Sequence, residues 1–398
     1  MIPIQQGTVM KMNKEIYFTP LGGGQEVGAS CYFLKLGDEA ILLDAGIGKK
    51  NGFSFGPSFL GLEKSGLIIC KTEIKHVFIS HAHIDHIGFI PTLMRELPEA
   101  VFYMTETTKE LAKFQLYDRN FTEEKNFISE KLAMQSMFDR IQTVSFFETV
   151  CIGNINVAFY PAGHIPGAMM TLFSWNGKTL LYTGDYSSTE TALTDKYYLP
   201  NNVLVDYLIN CGLHAKNDSC YRSNFGLENL IKKTDWILKD GKSAFCVATQ
   251  LSKGIEFLKA LNDSMEAGNV LKVPVYIDTS VYPIIKHMEN LSLPLIKDNV
   301  FPFVPEKCNW PHIILTANTH LFFRQRYELV AVDFSTHDDF DETVDFIKKL
   351  NPKTTIMVHC ASVKETDTGM TVEQVLMRDA DCRTQFIFAE NEEIYRIV

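Results

Sequence analysis

The chain has 398 residues, 46% hydrophobic and 22% charged, with a formal net charge of −10 at pH 7. That is material for one large two-lobed protein or two domains with a buried core, and the acidic balance argues against a broadly basic nucleic-acid surface. Nine cysteines, an odd number with no C-x-x-C pair, fit reduced thiols better than a disulfide framework or a cysteine zinc knuckle.

The opening Met1-Ile2-Pro3-Ile4-Gln5-Gln6 lacks the basic start and apolar core of a signal peptide. No uninterrupted apolar stretch reaches membrane-spanning length, so the expectation is a cytoplasmic protein with no membrane partner. Ile16-Tyr17-Phe18, Ser30 to Lys35 and Ala40 to Gly46 read as strands separated by glycines and by the Gly37-Asp38 turn. Gly22-Gly23-Gly24 lacks the lysine pattern of a phosphate loop and reads as a tight turn near the site. Asp44, at a strand end, is either a partner that orients a metal ligand or a turn cap.

The run His76 to Ile79 leads into Ser80-His81-Ala82-His83-Ile84-Asp85-His86-Ile87-Gly88. Three histidines and a carboxylate packed this closely would cost stability if buried unpaired. Residues two apart on an extended segment point the same way, so His81 and His83 can reach one metal ion while Asp85 and His86 turn to another. Imidazole and carboxylate ligands suit zinc first, with manganese or iron as competitors. Gly88 allows a tight turn into a helix over Phe89 to Leu97.

Further helices are expected over Thr107 to Leu116 and Glu123 to Met137. Val157 to Pro161 ends in Ala162-Gly163-His164, Leu180 to Thr183 ends in Gly184-Asp185, and Thr355 to Val358 ends in His359. Each places one ligand-type residue at a strand end, where α/β folds collect their sites. Between Asp185 and His359, Leu227 to Leu238, Ser243 to Thr249, Ile255 to Met265, Val273 to Asp278 and Ile313 to Thr316 alternate helix and strand, predicting a small inserted parallel α/β lobe. The stretch Asn299 to Pro311 reads as a long loop.

The order His-x-His-x-Asp-His, Gly-His, Gly-Asp and a late Val-His resembles the metallo-β-lactamase fold, an αββα sandwich holding two metals along one edge. Leu21 to Gly46, Phe334-Ser335-Thr336-His337-Asp338-Asp339 and Ala248 to Leu258 are similar to elements of its β-CASP branch of nucleic-acid-processing nucleases, which includes ribonuclease J and the endonuclease of messenger-RNA 3′-end cleavage. The resemblance implies a metallo-β-lactamase domain in two parts, 1–212 and 328–398, with a β-CASP-like α/β domain inserted at 213–327. It implies that His81, His83 and His164 bind one divalent ion and Asp85, His86 and His359 the other. Asp185 would bridge, and His337 would protonate the leaving group; Asp85 and His337 are the catalytic candidates.

Two departures stand out. Leu208-Ile209-Asn210-Cys211-Gly212 occupies the place of a carboxylate that partners the general acid, for which Asp206 or Asp218 is a candidate substitute. Ser252-Lys253 stands where the branch usually has Gly-Arg, so Lys253 keeps a charge for phosphate but not the bidentate fork. Arg324 and Arg326 could add a basic spot.

The function implied is hydrolysis of single-stranded RNA or DNA through a metal-bridging hydroxide. The alternatives are a small-molecule hydrolase of a cyclic nucleotide, phosphonate, thioester or lactone, or a non-catalytic scaffold of an RNA-processing complex. The partner is accordingly single-stranded nucleic acid or a small phosphorylated substrate, and a homodimer is compatible with the chain.

Overall fold

The computed structural model describes residues 15–120, 135–216, 224–304, 310–317, 327–361 and 369–397, apart from positions 249, 280, 292, 380 and 381. Two seven-stranded sheets face each other. The first runs, in spatial order, Tyr395–Arg396, Ile16–Gly22, Cys31–Leu36, Glu39–Leu43, His76–Phe78, Val101–Thr105 and Ile141–Val144. The second runs Gln385–Phe388, Thr354–Val358, Tyr207–Cys211, Lys178–Tyr182, Met169–Trp175, Ile155–Pro161 and Thr149–Ile152.

The strand pleat explains the layering. In the strand Cys31–Leu36, Tyr32, Leu34 and Leu36 enter the core between the sheets, while Cys31 and Phe33 enter the core on the opposite face. Both faces are covered, so these strands read as continuous apolar runs rather than alternating ones. Phe78 sits at the middle of the inter-sheet core, stacked on Tyr103 at 4.7 Å and edge-on to Phe173 at 5.3 Å. On the outer faces lie helices such as Ile90–Glu96 and Phe340–Leu350. The second of these buries Phe340, Val344, Phe346 and Ile347 and starts with a capping box between Asp339 and Glu342. The αββα sandwich expected from the sequence is the fold observed.

A third, five-stranded sheet is wholly parallel, in the order Val300–Pro302, Val275–Ile277, Ile313–Thr316, Ser243–Val247, Tyr327–Ala331. It lies in sequence between Tyr207–Cys211 and Thr354–Val358, which are neighbouring parallel strands of the second sheet. It is therefore an insertion between paired strands. Its helices Asn224–Lys239 and Leu251–Glu266 supply Ile231, Ile237, Leu258 and Leu261 to the core. The last strand, Tyr327–Ala331, runs past the boundary at 327, and Val300–Pro302 forms an edge strand inside the stretch expected to be a loop. Most of the expected helix Glu123 to Met137, together with Asp218, Arg324 and Arg326, lies outside the described residues. Among the described residues no helix is long and apolar enough to cross a membrane.

Candidate metal centre

Every ligand-type residue of the sequence reading arrives at one edge of the sandwich, each from the end of a strand. The chain leaves His76–Phe78 through Ser80 to His83 and enters the short helix Ile84–Ile87, which carries Asp85 and His86. His164 lies between Ile155–Pro161 and Met169–Trp175, Asp185 follows Lys178–Tyr182, and His359 follows Thr354–Val358. Asp44, His164 and His359 have φ of 60°, 59° and 54°. Non-glycine residues occupy this left-handed region only where surrounding contacts hold them, a condition common at functional sites.

Those contacts are explicit. The His359 amide donates to the Gly23 carbonyl at 2.7 Å, so the glycine turn supports the last histidine directly. The Ser30 amide donates to the Asp85 carbonyl at 2.9 Å, and a Cβ on Gly46 would overlap that same carbonyl oxygen. Asp44 is the hub: it accepts from the Ser80 amide at 2.6 Å, the Ser80 hydroxyl at 2.7 Å, His86 Nδ1 at 2.7 Å and the Tyr182 hydroxyl. Its carboxylate is thus engaged by His86, Ser80 and Tyr182.

The donor atoms fall into two groups, His81, His83, His164 and Asp185, and Asp85, His86 and His359, each with its ligand atoms within 4.8 Å of one another. Asp185 Oδ2 lies between them, 3.6 Å from His81 Nε2, 3.8 Å from His164 Nε2 and 3.4 Å from His86 Nε2. Asp85 Oδ2 is 3.9 Å from both His86 Nε2 and His359 Nε2.

Each imidazole is turned by a partner on its far nitrogen. Ser80 Oγ takes His81 Nδ1 at 3.0 Å, Ser252 Oγ takes His83 Nε2 at 2.8 Å, the Thr336 carbonyl takes His164 Nδ1 at 3.0 Å, and Ser30 Oγ takes His359 Nδ1 at 3.0 Å. The near nitrogens of His81, His83 and His164 then face one another at 3.0 and 3.1 Å. Burial pushes His81 well below its ordinary value, His83 to about 3, and His164 down as well. Burial thus disfavours the charged form of all three rings, and their near nitrogens converge on one point, an arrangement that suits a cation. Burial also opposes ionisation of Asp185, yet His359, His86 and His337 hold it well below the usual carboxylate range. Its Oδ1 is buried without a hydrogen-bond partner among the described residues. An unsatisfied carboxylate oxygen beside converging imidazole nitrogens fits two divalent ions.

His337 reaches the same edge from the segment before Phe340–Leu350. Its ring lies 4.4 Å from that of His164, and its Nδ1 is 3.8 Å from Asp185 Oδ2 and 3.9 Å from Cys211 Sγ. Cys211 thus fills the place where a carboxylate was expected. Asp206 is no substitute, because it pairs with Lys353 at 2.7 Å and accepts from Thr179, at the strand start away from this edge. Lys253 is also engaged, with Asp333 at 2.5 Å.

No orienting role for Ser30, Ser80, Ser252 and Thr336 followed from the sequence. Ser80, next to His81, carried a local signal; Ser252 and Thr336 stand inside the segments that resemble the β-CASP branch, but nothing there pointed to His83 or His164.

The comparisons agree with this geometry. Residues 24–214 match the model of the metallo-beta-lactamase superfamily. Similar curated proteins include an endoribonuclease ysh1 of Emericella nidulans, 29% identical over 66% of this chain and 30% of that protein. Others are cleavage and polyadenylation specificity factor 73 of Drosophila melanogaster, 28% over 66% and 38%, and Integrator complex subunit 11 of Danio rerio, 29% over 67% and 45%. The chain spans less than half the length of each of these three relatives. A solved structure of an Enterococcus faecalis V583 protein of unknown function shares the fold, with a TM-score of 0.64 over 96% of this chain and 100% of that one, at 14% identity. With its strand-end histidines and aspartates gathered at one edge of an αββα sandwich, the chain carries, over residues 24–214, a domain that matches the metallo-beta-lactamase superfamily.

Proposed function

We propose that this protein is a metal-dependent hydrolase that cleaves the phosphodiester backbone of single-stranded RNA. The observation that carries the reading is the position of Asp185 Oδ2, within 3.4 to 3.8 Å of imidazole nitrogens from both groups. In this reading His81, His83 and His164 would hold one ion and Asp85, His86 and His359 the other, with Asp185 able to contribute to either, zinc being the first choice for His and Asp donors. Two bound divalent ions would supply Lewis acidity and bring the pKa of a water toward neutrality. The relatives named endoribonuclease support RNA as the substrate.

The chain's own residues do the rest. Burial holds the His337 ring well below its ordinary value, whereas Asp185 Oδ2, 3.8 Å from His337 Nδ1, favours the imidazolium. As general acid the imidazolium would pass its Nε2 proton to the departing oxygen and be left as neutral imidazole. The Asp44 hub fixes the ring of His86 directly and that of His81 through Ser80.

The test is cleavage of an end-labelled single-stranded RNA by zinc- or manganese-loaded protein beside an Asp85→Asn control. Cleavage that disappears in the control supports the reading. A protein that holds two metals and hydrolyses bis(p-nitrophenyl) phosphate, yet leaves RNA intact, would be a small-molecule hydrolase instead.

A further inference from the structure

Two residues after Gly46 the chain forms a two-stranded hairpin, Gly48–Lys50 with Phe53–Phe55, closed by Asn51-Gly52. Asn51 and Gly52 both have positive φ, 52° and 83°, as a two-residue primed turn requires. Lys49, Lys50 and Phe53 are exposed, Phe53 by 79%. An aromatic ring left this open at a hairpin tip contributes little to folding.

The hairpin is seated on the metal-binding segment at both ends. At its entry, the Ala45 amide donates to the His86 carbonyl at 2.8 Å, the Ile47 amide to the Ile84 carbonyl at 3.3 Å, and Gly88 is packed against Ile47. At its exit, Gly56 lies against the Phe89 ring, so closely that a Cβ there would meet it. Three residues of strand carry the tip roughly 10 Å beyond Gly48.

The pairing decides which side chains work together. Lys50 and Phe53 are directly opposed, as are Lys49 and Ser54, and opposed residues share a face. One face therefore presents a cation and an aromatic ring together, and the other presents a second cation. Among the described residues neither lysine has a carboxylate partner, in a chain of net charge −10. Unpaired cations beside a bare aromatic ring, next to the proposed cleavage site, match the chemistry of single-stranded nucleic acid, where bases stack and phosphates need counter-charge.

We infer that the Gly48–Phe55 hairpin is a nucleotide-holding finger, with Phe53 stacking on a base and Lys49 and Lys50 meeting phosphates of a single-stranded RNA whose scissile bond lies at the metal centre. The inference rests on the nuclease reading above and adds a binding subsite to it.

The experiment is single-turnover cleavage of an end-labelled 20-nucleotide oligouridylate at increasing protein concentration and several salt concentrations, for wild type, Phe53→Ala, Phe53→Trp and Lys49→Ala/Lys50→Ala. The Ala variants should raise the half-saturating concentration about ten-fold or more, and Phe53→Trp should stay near wild type. The lysine variant should also flatten the log–log salt dependence by about 1.4, two phosphates at roughly 0.7 each. Hydrolysis of bis(p-nitrophenyl) phosphate, too small to reach the finger, should stay within two-fold of wild type. RNA cleavage unchanged in the Ala variants overturns the finger and leaves the nuclease reading standing. A parallel loss of small-substrate hydrolysis overturns it too, because the hairpin would then act through the metal loop. Wild-type protein that hydrolyses the small substrate but not RNA sinks both.

Discussion

Ser252 Oγ lies 2.8 Å from His83 Nε2 although 169 positions separate the two residues. The serine opens the helix Leu251–Glu266 of the inserted unit, so a ligand of the sandwich is oriented by a residue of the insertion. Ser252→Ala should leave the His83 ring free to turn and weaken metal binding about 10- to 100-fold, with Ser252→Thr recovering most of it. Competition with a chromogenic chelator reads this without any substrate, and unchanged affinity in Ser252→Ala would remove the serine from the metal site.

Asp44 holds His86, Ser80 and Tyr182 at once and is fully buried. Asp44→Ala leaves those groups without their acceptor, and breaking such a buried pair costs on the order of 3–5 kcal/mol. Chemical denaturation should show that loss, and metal content should fall below two ions per chain. Asp44→Asn keeps the shape but presents an N–H to groups that need an acceptor, so its metal loss should be nearly as large.

Removal of His337 should separate chemistry from metal binding. His337→Ala should lower RNA cleavage by about 10²- to 10⁴-fold, the range for a general acid. Bis(p-nitrophenyl) phosphate needs little help in releasing its leaving group, so its hydrolysis should fall far less. Elemental analysis should find the metal content unaltered; a loss of metal would make His337 a ligand rather than an acid.

Asp338 is buried, accepts from the Ser188 amide and hydroxyl, and is pushed up to about 7, chiefly by burial. The folded protein therefore holds this proton more tightly than the unfolded chain. The resulting stability is complete below the ordinary aspartate range near pH 4 and is lost as pH rises toward 7. Asp338→Asn carries no such penalty, so its Tm relative to wild type should improve by a few degrees between pH 5 and pH 8. A Tm difference independent of pH would show that Asp338 titrates normally.

Gly46 sits where any side chain would overlap the Asp85 carbonyl. Gly46→Ala should displace the short helix Ile84–Ile87, lowering stability by about 1–3 kcal/mol and emptying the site that Asp85, His86 and His359 form. Thermal unfolding with and without added zinc checks it, since a displaced site gains less from the ion.

The residues gathered at the metal centre were legible because each ligand-type side chain sits beside a glycine or at the end of an apolar run, a pattern that alternation and turn chemistry write into the local sequence. The sandwich was legible for the same reason, since strands covered on both faces read as apolar runs. The orienting partners were not: Ser252 and Thr336 are ordinary residues until tertiary packing sets them against His83 and His164. Lys253 shows the converse, a residue with the right charge whose neighbour Asp333 could be known only from the fold. The edge strands Val300–Pro302 and Tyr327–Ala331 are short and flanked by loop-like sequence, so only their pairing partners define them.

Because the third sheet is threaded between two strands that lie side by side, synthesis itself imposes an order on the metal centre. His81, His83, Asp85, His86, His164 and Asp185 leave the ribosome early, whereas Thr354–Val358 and His359 follow only after the whole insertion has emerged. Until then Tyr207–Cys211 is an open strand edge and the group around Asp85 lacks a donor. In the proposed reading, a nascent chain would thus lack the full donor set for its second ion until the last strand docks.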